Sequence, residues 1–236
     1  MELPDIYSRT RLLVGKEGME KLQSKKVIVF GCGGVGSWCI ESLLRSGITD
    51  ITIVDPDEVC ASNVNRQLMA TCLSLGQAKV EAMKERLLAI NPEARITAIQ
   101  KKYGEETAGE FDLDSYEYVI DCIDSLKDKI ELMVRATASK ATLFSSLGAA
   151  LKTDPCKVRV APFWKVRGCP LGAMLRKRMH QRNYLPSRNF LCVYDEEVLE
   201  NKEDSPEGRV NGTFVHITAI FGFTIAGLVI EDILKN

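Results

Sequence analysis

The feature that most limits how this chain can fold is Gly31-Cys32-Gly33-Gly34-Val35-Gly36. It follows the apolar run KKVIVF (25–30) and precedes a stretch where Val35, Trp38, Cys39, Leu43 and Leu44 recur at helical spacing, from Gly34 to about Ser46, before Gly47. A short apolar run bounded by turn residues reads as a buried strand and the 3.6-residue period as a helix, with the later glycine as its stop. Strand, glycine turn and helix together are the context in which a G-x-G-x-x-G pattern holds phosphate. Gly31 permits the tight turn, Gly33 and its neighbour Gly34 let backbone approach an anion, and Gly36 lets helix and strand pack closely. The helix start turns its unpaired N–H groups and positive dipole end toward that anion.

The alternation continues. ITIVD (51–55), RITAIQ (95–100), YVIDCID (118–124) and ATLFSS (141–146) read as strands; 77–90, ended by Asn91-Pro92, and about 126–139 read as helices. Apolar strands alternating with helices predict a doubly wound, Rossmann-like, mostly parallel α/β sheet covered on both faces. Residues 1–150 form the nucleotide-binding part. Residues 151–236 form a smaller C-terminal elaboration: an extended strand in CKVRVAPFWKV, a basic substrate-binding segment, an acidic loop (195–207) and a C-terminal helix completing the same domain.

Hydrophobic residues at 45% and charged residues at 27% describe a soluble globule and exclude disorder. Thirty-one basic against 32 acidic residues exclude a uniformly basic nucleic-acid binder, but not a local patch. Such a patch is present. From Pro155 to Tyr194 there is no Asp or Glu, while Lys157, Arg159, Lys165, Arg167, Arg176, Lys177, Arg178, Arg182 and Arg188 accumulate. Trp164, Tyr184 and Phe190 lie among them as candidate stacking surfaces for unpaired bases. DEEVLENKEDSPEG then reverses the sign and reads as a mobile surface loop. None of the eight cysteines makes a Cys-x-x-Cys pair, so structural zinc has no local signature. MELPDIYSRTR lacks an apolar signal core, and the cytoplasm is the expected location. The tail is uncharged from Phe214 to Ile230, at the lower edge of a membrane span. Gly222, Gly227 and His216 favour a buried helix or a dimer contact over a membrane.

Candidate site residues cluster behind the glycine turn. Asp55, ending the second strand, stands where a carboxylate accepts ribose hydroxyls, in NAD or ATP alike. Asp57 reads equally as a turn cap or a second ligand. Ser62-Asn63-Val64-Asn65-Arg66-Gln67 and Gly76-Gln77-Ala78-Lys79 then supply cations that hydride transfer does not need, but adenylate transfer from a triphosphate does. Asp121 and Asp124 lie at the carboxyl end of a strand; Asp124, past it, is the candidate Mg2+ ligand.

GCGGVG, the DPD after the second strand, SNVNRQ, GQAK and DCID resemble, in that order, the nucleotide site of the ubiquitin-activating and MoeB/ThiF superfamily, over roughly residues 7–150. The resemblance implies ATP and Mg2+ as cofactors, Asp55 on the ribose, Asn63, Arg66 and Lys79 (with Gln67 of the same motif) at the triphosphate, and Asp124 on the metal. It also implies a homodimer in which an N-terminal arginine reaches the partner's phosphates. Arg9 in Tyr7-Ser8-Arg9 matches that place, with Arg11 nearby, so that Arg9, Arg66, Lys79 and Asp124 form the implied catalytic set.

LLVGKEGMEKL, SSLGAALKTDP and CPLGAMLRKRM resemble the tRNA threonylcarbamoyladenosine dehydratase branch. That branch implies ATP-dependent cyclisation of a modified adenosine through an acyl-adenylate, with tRNA on Lys165, Arg167, Arg176, Lys177, Arg178 and Arg182. The alternatives are adenylation of a ubiquitin-like or sulfur-carrier protein, disfavoured by the missing Cys-x-x-Cys pairs, a non-catalytic partner subunit, and an NAD-binding module. A sulfur-transfer partner stays open. Ring closure needs no enzyme thiol, so Cys169 beside Arg167 is expected to pack rather than react.

Overall fold

A computed structural model describes residues 5–204 and 210–235. Five parallel strands form the centre: β1 (Lys26–Phe30), β2 (Asp50–Val54), β3 (Arg95–Ile99), β4 (Tyr118–Asp121) and β5 (Thr142–Ser146). β6 (Val158–Pro162) and β7 (Leu191–Asp195) extend the same sheet in the order β3-β2-β1-β4-β5-β7-β6. β7 pairs with β5 in parallel, and only the edge strand β6 runs antiparallel. β1 lies between β2 and β4, with Val27 opposite both Ile51 and Tyr118. Strand order therefore reverses at β1, and the crevice outside the carboxyl ends of β1 and β4 is where such sheets take ligands.

Successive strand residues point to opposite faces, which explains the uninterrupted apolar runs. Val27 and Val29 belong to one core with Ile40 and Leu44 of α2 (Gly36–Ser46), Met83 of α3 (Lys79–Ile90) and Phe221 and Ile225 of α6 (Val215–Lys235). Ile28 and Phe30 belong to the other, with Ile130 and Met133 of α4 (Leu126–Ala138) and Leu175 and Met179 of α5 (Pro170–Gln181).

The apolar tail is a core helix on one side. Ile217, Phe221, Ile225 and Val229 are buried, while Phe223 on the other side remains exposed beside Trp38, with ring centroids 5.8 Å apart. α6 crosses α2 at Gly222, where a Cβ would lie 2.5 Å from the Val35 carbonyl oxygen and 2.8 Å from the Cys39 nitrogen.

Two elements have no counterpart in the sequence reading. α1 (Ser8–Gln23) is broken at Gly15, whose φ of 71° is non-helical, and it leaves Leu12 and Leu13 more than four-fifths exposed. Its apolar residues therefore trace no single buried stripe. β7 is only five residues long and sits between a basic and an acidic block, so its neighbours mask it. Three boundary shifts bear on the crevice. α2 begins at Gly36 rather than Gly34, because the preceding residues make the turn. β2 spans Asp50–Val54, leaving Asp55 just past it. β4 ends at Asp121, leaving Cys122 to Asp124 in the crevice loop.

At Gly222 the atoms a side chain would meet are backbone, so they cannot swing aside. Gly222→Val is expected to destabilise the fold by about 1–3 kcal/mol, as overpacking does. The check is a lower urea midpoint at unchanged m-value; an unshifted midpoint would show that the two helices are not held this close.

Candidate active site

β1 delivers the chain to Gly31, which turns with φ 95° and donates its N–H to Val54 O at 2.8 Å. A Cβ there would stand 2.6 Å from the Cys122 carbonyl oxygen, so two loops meet where only hydrogen fits. A Cβ on Gly36 would fall 1.8 Å from the Gly31 oxygen. Gly33, by contrast, borders open space: no atom stands within 4 Å of where its side chain would be. No side chain caps the start of α2. An open backbone followed by an uncapped helix start is a ready anion cradle.

Asp55 braces this turn. One carboxylate oxygen accepts the Cys32 N–H at 2.7 Å and the other the Asp57 N–H at 3.0 Å. Lys79, at the first position of α3, is buried with Nζ 3.9 Å from Asp55 and 2.7 Å from the exposed carboxylate of Asp57. Burial pushes the Asp55 carboxyl above its usual value, opposed by the Lys79 cation and the two backbone donors. Carboxylate oxygens carry two lone pairs each, so Asp55 can hold the turn and still accept from a ligand.

The third component is the segment around Arg66. Asn63 is buried and accepts the Cys60 N–H through its side-chain oxygen at 3.2 Å. Trp38 Nε1 donates to the Arg66 carbonyl at 3.1 Å, and Leu68 N–H donates to Ser37 Oγ at 3.1 Å, which ties the segment to the first turns of α2. Arg66 thereby lies alongside the glycine turn: a Cβ on Gly34 would meet its Cγ at 3.4 Å. Its guanidinium donates to Ser62 O at 2.6 Å and Asn65 Oδ1 at 3.0 Å. Gln67 is buried, and its side-chain oxygen has no hydrogen-bond partner among the described residues.

Across the crevice, Asp121 is fully buried and Asp124 exposed, the latter with no side-chain partner among the described residues. Among the described residues no three His, Cys, Asp or Glu side chains gather to hold a metal alone. A lone exposed carboxylate on the loop beside the turn fits Mg2+ carried in on phosphate, since that ion uses one or two carboxylates and keeps water and phosphate oxygens. Burial pushes the Cys122 thiol near the turn up to about 12 and raises Cys32 and Cys39 well above the usual range.

The fold therefore brings together Gly31, Gly33, Gly34, Gly36, Asp55, Asp57, Asn63, Arg66, Gln67 and Lys79, with Asp124 on the facing loop. Arg9 is exposed on the first turn of α1 and has no side-chain partner among the described residues, while Arg11 pairs with Asp5 at 3.2 Å. Lys129 and Ser145, which brace the loop before Asp124, were not singled out by sequence. The signal for Lys129 was a charge within the apolar stripe of Leu126, Ile130 and Met133.

The basic segment divides. Lys165, Lys177, Arg178 and Arg182 are exposed and have no side-chain partner among the described residues. Arg176 is half-buried over the Phe163 ring and donates to the Phe163 carbonyl. Exposed Arg167 donates to the Trp164 and Val166 carbonyls. Arg188 caps the end of α4 through four carbonyls. Phe190 cannot stack on a base: it is buried face to face with Phe163 at 5.1 Å. Cys169 is buried at the start of α5.

Where described, the acidic stretch is a loop tied to the fold at Glu197 and Leu199. Glu197 accepts the backbone N–H groups of Thr153 and Asp154 and pairs with Lys157 at 2.8 Å; Leu199 donates its N–H to Leu151 O. Residues 205–207 of the predicted loop lie outside the described residues.

These features define a nucleotide-binding α/β protein whose glycine turn lies against an arginine, is braced by an aspartate beside a buried lysine, and adjoins a loop with an exposed carboxylate. The chain matches the ThiF family over residues 7–236 and belongs to it. It is 35% identical over 98% of its length to the tRNA threonylcarbamoyladenosine dehydratase of Bacillus subtilis, covering 95% of that protein. With its Haemophilus influenzae counterpart it shares 33% identity, over 93% of this chain and 90% of that one. The crystal structure of E. coli tRNA N6-threonylcarbamoyladenosine dehydratase in complex with ATP superposes with a TM-score of 0.88 at 31% identity, over 100% of this chain and 98% of that one.

Lys157 and the two backbone donors hold the Glu197 carboxyl at about 2, against 4.5 ordinarily. A depressed carboxyl contributes stability above its unfolded value and loses it as pH falls toward the folded one. Amide protection at Thr153 and Asp154 is thus expected to weaken only as pH drops from about 4.5 toward 2. Hydrogen exchange across that window, with Glu197→Gln as the control lacking the step, checks it; protection independent of pH throughout would remove the contact.

Proposed function

We propose that this chain activates the threonylcarbamoyl carboxylate of a modified tRNA adenosine with ATP and closes it into a ring, with net loss of water. The supporting observation is the full-length likeness to dehydratases of that name, combined with a glycine turn that Arg66 lies against and that Asp55, beside Lys79, braces. Molybdopterin-synthase adenylyltransferases also match, at 33% identity, but over 63% of the chain. Lys165, Lys177, Arg178 and Arg182 add exposed cations suited to a polyanion.

The chemistry follows from charge. The substrate carboxylate attacks the α-phosphorus of ATP; a new P–O bond forms, the bond to pyrophosphate breaks, and an acyl-adenylate results. A nitrogen or oxygen nucleophile within the same modified group then attacks the activated carbonyl, loses its proton and expels AMP. Holding both reacting groups on one base makes this step effectively unimolecular. Phosphates rest on the N–H groups of the glycine turn and α2. Lys79 exchanges Asp57 for phosphate, and Arg66 turns from Ser62 toward the charge that develops as pyrophosphate leaves. Asp55 takes the ribose hydroxyls while bracing the turn, and Asn63 and Gln67 line the same wall. Asp124 would hold Mg2+, which when bound neutralises phosphate charge and steadies the leaving group. tRNA lies over Lys165, Arg167, Lys177, Arg178 and Arg182, with Arg176 behind them.

A homodimer completes the site. Exposed Leu12 and Leu13 share the first helical segment of α1 with Arg9, so a contact that covers them would carry Arg9 toward a second copy's crevice.

The direct test is AMP release from Mg·ATP with threonylcarbamoyladenosine-containing tRNA or a sulfur-carrier protein. Stimulation by the tRNA alone is expected; stimulation by the carrier protein alone would reassign the substrate. Lys79→Ala and Asp124→Ala are each expected to lower turnover by at least about a hundredfold, the scale of losing one preorganised electrostatic group, in folded protein. Unchanged turnover in either variant would strip that residue of its role. Arg9→Ala mixed with Asp124→Ala is expected to regain activity in heterodimers, and no recovery would place each site within one chain.

A further inference from the structure

Lys129 is a fully buried charge beside the nucleotide crevice. Both it and its partner Asp121 are 0% exposed, with Nζ and Oδ2 2.9 Å apart. Taking both ions out of water is costly, and apolar replacement of such a pair is often neutral for stability. Stability therefore does not by itself account for the pair, and its bonds indicate another role. Asp121 Oδ2 also accepts the Ser145 hydroxyl at 2.7 Å, and Oδ1 accepts the Ile123 N–H at 3.1 Å. Lys129 Nζ donates to the Ile123 carbonyl at 2.9 Å. The two ions thus hold both backbone polar atoms of one residue, with Ser145 of β5 as the anchor.

That residue sits between two functional neighbours. On one side is Cys122, whose N–H donates to Phe30 O at 2.8 Å and whose carbonyl abuts Gly31. On the other is Asp124, exposed and unpartnered among the described residues. Ser125, which starts α4, makes no side-chain cap to hold the backbone from that direction.

We propose that Lys129 is a positioning residue of the nucleotide site: with Asp121 it clamps the backbone of Ile123 and so sets where the Asp124 carboxylate stands relative to the glycine turn. The proposal rests on the reading of Asp124 as the ligand of nucleotide-borne Mg2+. Groups that orient a metal ligand without touching the metal commonly govern its affinity.

The test compares calorimetric binding of a non-hydrolysable ATP analogue, with and without Mg2+, to the full chain; the ratio is the factor by which the metal tightens binding. Lys129→Met alone leaves Asp121 buried without its counter-ion and is expected to destabilise the fold. The decisive variant is therefore Asp121→Asn with Lys129→Met, neutral and close in volume. It is expected to keep its unfolding temperature and its Mg-free affinity but to lose at least about tenfold of the Mg2+ factor. Asp124→Ala, run alongside, is expected to lose the same factor.

A folded double variant with the full factor, beside an Asp124→Ala variant that has lost it, overturns the clamp and leaves Asp124 as the ligand. An Asp124→Ala variant that keeps the factor overturns that reading and the clamp with it. A double variant that cannot fold assigns the pair to stability alone and overturns the proposal as well.

Discussion

Two loops leave adjacent parallel strands at the same level, and the space between them admits no side chain. The Cys122 carbonyl oxygen lies 2.6 Å from where a Cβ of Gly31 would be, and within the turn itself the Gly31 oxygen lies 1.8 Å from where a Cβ of Gly36 would be. Everything else in the crevice depends on that closeness. It sets the start of α2 directly above β1 and leaves Gly33 facing open space. It also brings the loop that carries Asp124 beside the turn. A sheet that split elsewhere would separate the carboxylate from the cradle.

Around this contact the protein buries charge only with partners. Asp55 is buried against Lys79 and two backbone N–H groups, and Asp121 against Lys129, Ser145 and a third N–H. Each pair braces one side of the crevice, Asp55 the glycine turn and Asp121 the loop before Asp124. Removing one partner of such a pair leaves an uncompensated charge, whereas removing both is tolerated far better. Asp124, exposed and without a side-chain partner among the described residues, is free to take a ligand. The same division runs through the basic segment, where Arg176 and Arg188 are occupied with carbonyls of the fold while Lys177, Arg178 and Arg182 face solvent.

The central sheet was legible because its strands are buried on both faces and so read as unbroken apolar runs; Gly47 and Asn91-Pro92 mark helix ends by local chemistry alone. Short or interrupted elements were not. α1 carries a left-handed glycine in its middle, and β7 is a five-residue run whose partners, β5 and β6, are distant in the chain. The acidic stretch read as a mobile loop because composition cannot reveal that Glu197 meets Thr153, Asp154 and Lys157. Phe190 looked available for stacking because its ring partner, Phe163, is supplied by another element.

The sequence by itself determined the strand, glycine turn and helix, the order of the motifs behind them and the family they resemble, since each rests on residues close together in the chain. Only the tertiary structure decided which charges are free. Whether Arg66 lies beside Gly34, whether Lys79 reaches Asp55 as well as Asp57, and whether Lys129 holds Ile123 depend on how separate elements pack. A charged side chain's role is set by the partners and the water it meets, and neither is written in its neighbours along the chain.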